Sequence, residues 1–148
     1  VDTQLEWTER YDRIQTKLFI FMQPDARPQV TRHFEDFLDH PERYKFDRVL
    51  RHGDFGPGNI IYDPDNGSVV GILDFGGAGS GDPAIDFAGL YASFGEEFYT
   101  KCYAIYPEME QALKRVHFYC GMFALEEALF GIENGDEVAY HNGIAKYV

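Results

Sequence analysis

The stretch His52-Gly53-Asp54-Phe55-Gly56-Pro57-Gly58-Asn59, followed by Ile60-Ile61-Tyr62 and then by Ser68-Val69-Val70-Gly71-Ile72-Leu73-Asp74-Phe75-Gly76, decides how the rest of the sequence is understood. Both apolar runs are rich in β-branched residues. Asn66-Gly67 between them is a favoured two-residue hairpin turn, so the segment 59–74 is predicted to be an antiparallel hairpin. In that register Asp65 pairs with Ser68, Tyr62 with Gly71 and Asn59 with Asp74. Directly opposed residues share a face with Cβ atoms roughly 4.5–5.5 Å apart, so an amide oxygen and a carboxylate meet at the open end. Pro64 lacks an N–H and is the residue able to disturb this register.

Two adjacent oxygen donors suit a hard cation such as Mg²⁺, which takes few protein ligands and fills its shell with water and phosphate oxygens. Asp54 lies just upstream, and its spacing to Asn59 is that of a kinase catalytic loop, in which the Asp receives the proton of the attacking hydroxyl and the Asn holds a metal. Asp74-Phe75-Gly76 supplies the metal-binding Asp-Phe-Gly that such a loop requires, in the correct order.

The stretch resembles the aminoglycoside phosphotransferase family, relatives of protein kinases with Gly in place of Arg after the loop His. The resemblance is densest over 50–90 and continues through Gly81-Asp82-Pro83-Ala84-Ile85-Asp86-Phe87-Ala88. It implies an α+β, mostly α fold: the C-terminal lobe of a protein-kinase-like fold with a small β-hairpin at the active site. It also implies Mg²⁺-dependent transfer of the γ-phosphate of ATP or GTP to a hydroxyl of a small molecule, with aminoglycosides the acceptor class and antibiotic resistance the setting. By the same resemblance Asp54 is the catalytic base, Asn59 and Asp74 are the metal ligands, His52 buttresses the loop, and Asp86 caps it from the start of a helix. Phe75 is expected to be a packing residue. The stretch Glu126-Glu127-Ala128-Leu129-Phe130-Gly131-Ile132 is most similar to the 2''-acting branch. Choline, homoserine or a sugar as acceptor, or a non-catalytic binding module, are the alternatives; retention of Asp54, Asn59 and Asp74 together argues against the last.

Working outward, helical spacing marks 4–22, with Leu5, Tyr11, Ile14, Leu18 and Phe21 as core candidates. A second helix is expected over 29–38, burying Val30, Phe34, Phe37 and Leu38 and stopping before Pro41. Residues 47–50 form a short lead-in strand. Downstream, helices are expected from Ala84, over 96–105, 108–132 and 137–147. Gly76 to Gly81 looks superficially like a phosphate loop, but Asp82-Pro83 stands where a Walker motif needs Lys and Ser or Thr. It is taken as a flexible segment, with Asp82 capping the next helix and Pro83 in its first turn. Tyr91, Phe94, Phe98, Tyr99 and Phe118 are expected in the core.

The length of 148 residues fits one domain, and no apolar run reaches membrane-spanning length. The formal net charge of −12 disfavours nucleic acid as a partner. It fits either a cationic substrate or simply a solvated surface; Glu126 and Glu127, with Glu96, Glu97 or Glu133, could line a pocket for such a substrate or form a solvated helix face. The N-terminal stretch from Val1 to Trp7 is polar and unlike a signal peptide. The two cysteines, Cys102 and Cys120, read as reduced thiols of a cytoplasmic protein. The chain opens on Val1 rather than Met, and neither a Gly-rich loop nor a strand Lys precedes the catalytic loop. The expectation is therefore one lobe over 1–148, with the N-terminal nucleotide-binding lobe of the parent chain absent and the isolated fragment inactive.

Overall fold

A computed structural model describes residues 3–148; Val1 and Asp2, part of the stretch read as unlike a signal peptide, lie outside the described residues. The fold is 66% helical with small antiparallel sheets, matching the α+β, mostly α expectation. By its contacts the chain divides into two compact units, residues 1–45 with 121–148, and residues 46–120.

In the first unit, α1 (Gln4–Lys17) starts at a capping box: Thr3 Oγ1 accepts from the Glu6 N–H, and the Glu6 carboxylate accepts from the Thr3 N–H. Its buried stripe is Trp7, Tyr11, Ile14 and Leu18, at helical spacing. Leu5 and Phe21, expected inside, are exposed. The helix ends at Lys17, and a 3₁₀ turn over Phe19–Phe21 rotates Phe21 away from the stripe. Helix α2 (Ala26–Leu38) begins three residues before the expected Gln29, because Pro28 sits in the first turn, where no intrahelical N–H is required. Val30, Phe34 and Phe37 are buried as expected, and Leu38 only half so. Tyr11 stacks on Phe34 with ring centroids 4.4 Å apart, joining α1 to α2.

In the second unit, β1 (Val49–Arg51) is the expected lead-in strand. Then come β2 (Ile60–Asp63), β3 (Ser68–Ile72) and β4 (Gly79–Gly81), and the helices α3 (Ala84–Cys102) and α4 (Glu108–Gln111). Helix α5 (Leu113–Asn134) gives its residues through Cys120 to this unit and the rest to the first, which is completed by α6 (Glu137–Ile144). Gly143 in α6 faces Ala124 and Ala128 of α5 so closely that a Cβ there would lie 2.3 Å from the Ala128 nitrogen.

Three sequence expectations fail in the second unit. The supposedly flexible Gly76–Gly81 segment contains β4, which pairs antiparallel with β1 (Val49 with Gly81, Arg51 with Gly79). Glycine and serine carry no strand signal, so only the partner strand reveals this pairing. The expected separation of a helix from Ala84 and another over 96–105 is present as a kink of α3 at Gly95, whose φ of 80° and ψ of 178° only glycine adopts readily. The second failure lies on either side of that kink, where Phe94 and Phe98, expected in the core, are exposed and pack on each other at 4.8 Å, while Tyr99 and Phe118 are buried as expected.

The third failure is the hairpin register. The loop takes four residues, 64–67, because the Asp63 carboxylate accepts from the Asp65 and Asn66 N–H groups and from the Asn66 amide, and Pro64 cannot donate. Asp63 therefore pairs with Ser68 and Tyr62 with Val69; Val70 bulges, and Ile61 pairs with Gly71. The net slip of one residue puts Asn59 opposite Leu73, whose N–H donates to the Asn59 carbonyl at 2.8 Å, rather than opposite Asp74.

Candidate functional site

Two pairings hold the candidate loops together. The β1–β4 ladder ends with Arg51 against Gly79, and the β2–β3 hairpin opens at Asn59 and Leu73. The segments 52–58 and 74–78 are thus each tethered at both ends to the same neighbour. Their backbones touch at Gly53 and Gly77: a Cβ on Gly53 would lie 2.4 Å from the Gly77 oxygen, and Gly53 has φ +89°. The position needs glycine on both counts.

His52 is buried and its ring is fully engaged. Nε2–H donates to the Leu73 carbonyl at 2.7 Å, while Nδ1 accepts from the Asp54 N–H at 3.3 Å. These partners select the neutral Nε2–H tautomer and leave no ring nitrogen for proton transfer. Asp86, in the first turn of α3, accepts from the His52 and Gly53 N–H groups at 2.7 and 2.8 Å, one carboxylate oxygen each. Asp54 itself is exposed; its Oδ2 accepts from the Asn59 amide at 3.1 Å, and that amide also donates to the Asp54 carbonyl at 2.8 Å. With both amide hydrogens spent on Asp54, the Asn59 Oδ1 is the end left to meet a ligand.

Asp74 lies between Leu73, bonded to Asn59 and His52, and Phe75, whose ring is 4.7 Å from the His52 ring. Its backbone is left-handed (φ 59°, ψ 66°), alone among the described non-glycine residues. One carboxylate oxygen accepts from the Gly76 N–H at 3.3 Å, and the side chain is exposed. Phe75 leans on His52 yet remains 60% exposed, so its packing role is only partial. Among the described residues no three His, Cys, Asp or Glu side chains gather closely enough to hold a metal by themselves. A cation bound here would have Asn59 Oδ1 and Asp74 as its oxygen donors beside oxygens it brings with it, a donor chemistry that suits Mg²⁺.

The acidic pair behaves differently. Glu126 is ion-paired to Arg10, and Glu133 to Arg13 and Lys17, all within the first unit. Burial pushes the Glu126 carboxyl up despite Arg10, while the hydrogen bond from Arg13, with help from Lys17, holds Glu133 down at about 2. The Glu133 carboxylate is thus occupied by cations of α1, and Glu126 is held by Arg10 through one oxygen, its buried Oε1 having no hydrogen-bond partner; Glu127 is the exposed one of the pair. No local signal marks this, because Arg10 is 116 residues from Glu126.

One arrangement went unforeseen. Asp82, fully buried, caps Ala84 N–H at 2.9 Å as anticipated, but also accepts from Arg115 through Nε at 2.8 Å and Nη2 at 3.2 Å, and from the Tyr119 hydroxyl at 2.7 Å. Arg115 and Tyr119 stand one helical turn apart on α5, which is the sequence signal that could have found it. The start of α3, and with it Asp86, is anchored through this cluster. Cys102 and Cys120 are free thiols, and no helix of the described residues is long and apolar enough to cross a membrane.

Comparison with known proteins places this geometry. The profile of the phosphotransferase enzyme family matches residues 2–119. Viomycin phosphotransferase of Streptomyces vinaceus is 31% identical over 147 residues, covering 96% of this chain and 50% of that protein. The chain therefore spans about half the length of the curated relative it matches. The GDP complex of wild-type aminoglycoside 2'-phosphotransferase-IIIa superposes with a TM-score of 0.90 at 20% identity, over 98% of this chain and 50% of that one. Macrolide 2'-phosphotransferase type I follows with a TM-score of 0.77 at 23% identity, over 98% and 48%. The fold is that of the C-terminal lobe of the kinase-like aminoglycoside phosphotransferases. With the family profile running through both loops and the helix beneath them, the chain belongs to the phosphotransferase enzyme family.

Proposed function

We propose that this chain is the C-terminal, catalytic and substrate-binding lobe of an enzyme that transfers the γ-phosphate of ATP or GTP to a hydroxyl of an antibiotic, with the nucleotide-binding lobe supplied by the preceding part of the parent chain. The observation that carries this reading is the loop His52–Asn59, held by Asp86 and His52 so that Asp54 alone presents a free carboxylate edge beside the Asn59 amide. The names of the relatives, acting on viomycin, aminoglycosides and macrolides, favour an antibiotic acceptor, and a GDP complex among them favours a nucleotide donor. A cytoplasmic setting fits nucleotide supply and free thiols.

In this scheme Asp54 orients the acceptor hydroxyl and takes its proton as the oxygen attacks the γ-phosphorus. Asn59 Oδ1 and Asp74 would hold Mg²⁺, which would supply charge stabilisation to the transferring phosphoryl group. His52 keeps its Nε2–H tautomer and transfers no proton, and Asp86 prevents the loop from drifting.

Asp54→Asn in the full-length enzyme is expected to lower kcat by about 10²–10⁴-fold with acceptor affinity retained. Loss of affinity with kcat preserved overturns the base assignment. Turnover by this chain alone at ordinary kinase rates overturns the assignment of the nucleotide site to a separate lobe.

A further inference from the structure

We propose that Gly89 is a positioning residue for phosphotransfer: its lack of a side chain sets how closely the loop bearing Asp54 lies on helix α3. The inference rests on the reading of Asp54 as the base. Gly89 sits inside α3, where glycine costs roughly 0.5–1 kcal/mol relative to alanine. Its φ is not positive, so backbone freedom does not account for it. What does is a close approach. A Cβ at Gly89 would lie 2.0 Å from the carbonyl oxygen of Phe55 and 3.0 Å from its carbon. Phe55 directly follows Asp54, and the obstructing atoms are backbone, which cannot rotate aside as a side-chain tip would.

The surroundings turn that contact into a lever. Asp86, Gly89 and Ser93 occupy one face of α3 at helical spacing. Asp86 clamps the His52 and Gly53 N–H groups, Gly89 lies under Phe55, and the Ser93 hydroxyl, which donates to the Gly89 carbonyl at 2.7 Å, comes within 3.9 Å of where a Gly56 Cβ would be. The loop therefore lies along this face, from 52 to 56. A methyl at position 89 wedges its middle while Asp86 still holds its start. Since real Cβ contacts essentially never fall below 3.0 Å, the Phe55 carbonyl and α3 must separate by about 1 Å from the 2.0 Å approach. A displacement of about that size, away from the chemistry itself, can cost on the order of 10² in rate.

The test is Gly89→Ala in the full-length enzyme, with Gly79→Ala, where a Cβ meets nothing within 4 Å, as control. The expected result is a fall in kcat of about 10²-fold with KM for nucleotide little changed, circular dichroism and urea midpoint as in the wild type, and Gly79→Ala at wild-type rate. The double variant Asp54→Asn/Gly89→Ala is expected to be no slower than Asp54→Asn alone, because Gly89 acts only through the base. A folded Gly89→Ala enzyme within about threefold of wild-type kcat overturns the proposal. So does full additivity in the double variant, and so does failure of Gly89→Ala to fold, which would assign this glycine to the fold instead. If Asp54→Asn itself keeps wild-type kcat, it is the base reading that fails; if Asp54→Asn is dead and Gly89→Ala is wild type, only the present inference does.

Discussion

Removing the carboxylate of Asp86 should show how much of the loop's shape depends on one side chain. Asp86 accepts two charge-assisted hydrogen bonds, from the N–H of His52 at 2.7 Å and of Gly53 at 2.8 Å, in a half-buried setting. Hydrogen bonds to charged groups contribute about 1.5–3 kcal/mol each, and two made by one side chain sum to less than twice that, so Asp86→Ala is expected to cost about 3–4 kcal/mol. Asp86→Asn keeps one acceptor but turns an NH₂ towards the second backbone N–H; about half the loss or more is expected. For a urea m-value of about 1–3 kcal/mol/M, the Ala variant's midpoint should fall by roughly 1–4 M. Equilibrium urea unfolding of this chain, followed by far-UV circular dichroism, measures both. In the full-length enzyme, kcat should fall with them, since Asp54 follows directly after the clamped amides. An Asp86→Ala midpoint indistinguishable from wild type would mean that water satisfies those amides equally well, and the clamp would be no clamp.

Glu133→Gln tests the ion pairs of the first unit through pH. The folded carboxyl titrates at about 2, below its ordinary 4.5, so its stabilisation is complete above the ordinary value and disappears as pH falls towards 2. Urea midpoints of wild type and variant should therefore differ above that window and converge at its acid end; a difference unchanged at low pH would refute the pairing, and added salt should shrink it. Arg115→Ala leaves the fully buried Asp82 carboxylate short of its cation, which should cost about 3–5 kcal/mol. Thermal unfolding should register that as a drop on the order of 10 °C, and a change of under 2 °C would show that Tyr119 and the Ala84 N–H suffice.

The chemistry was legible where it is written in short spacings. Asp54 and Asn59 meet because they stand five positions apart in one loop, and Asn59 and Leu73 are bonded across a hairpin whose apolar runs are plain in the sequence. Helix α2 and its buried Phe34 and Phe37 were readable for the same reason. The register was not. Two neighbouring turn signals compete there, and the Asp63 carboxylate, binding Asp65, Asn66 and the Asn66 side chain, favours the longer loop over the Asn66-Gly67 turn. Of the inward stripe of α1, Tyr11, Ile14 and Leu18 were readable but its start was not: Trp7 rather than Leu5 faces the core, because a stripe is defined by what it packs against, here Phe34 and Phe37 of α2.

The sequence by itself determined which side chains are the candidates for phosphotransfer chemistry and the order in which they come, because side-chain identity and local spacing do not depend on the rest of the chain. Only the tertiary structure decided what holds and frees them: Asp86 on the His52 and Gly53 amides, β4 on β1, Gly89 beneath Phe55, and Arg10 on Glu126. Each of those contacts joins residues more than 25 positions apart, and which distant groups meet is settled by the packing of whole elements rather than by any signal near either partner.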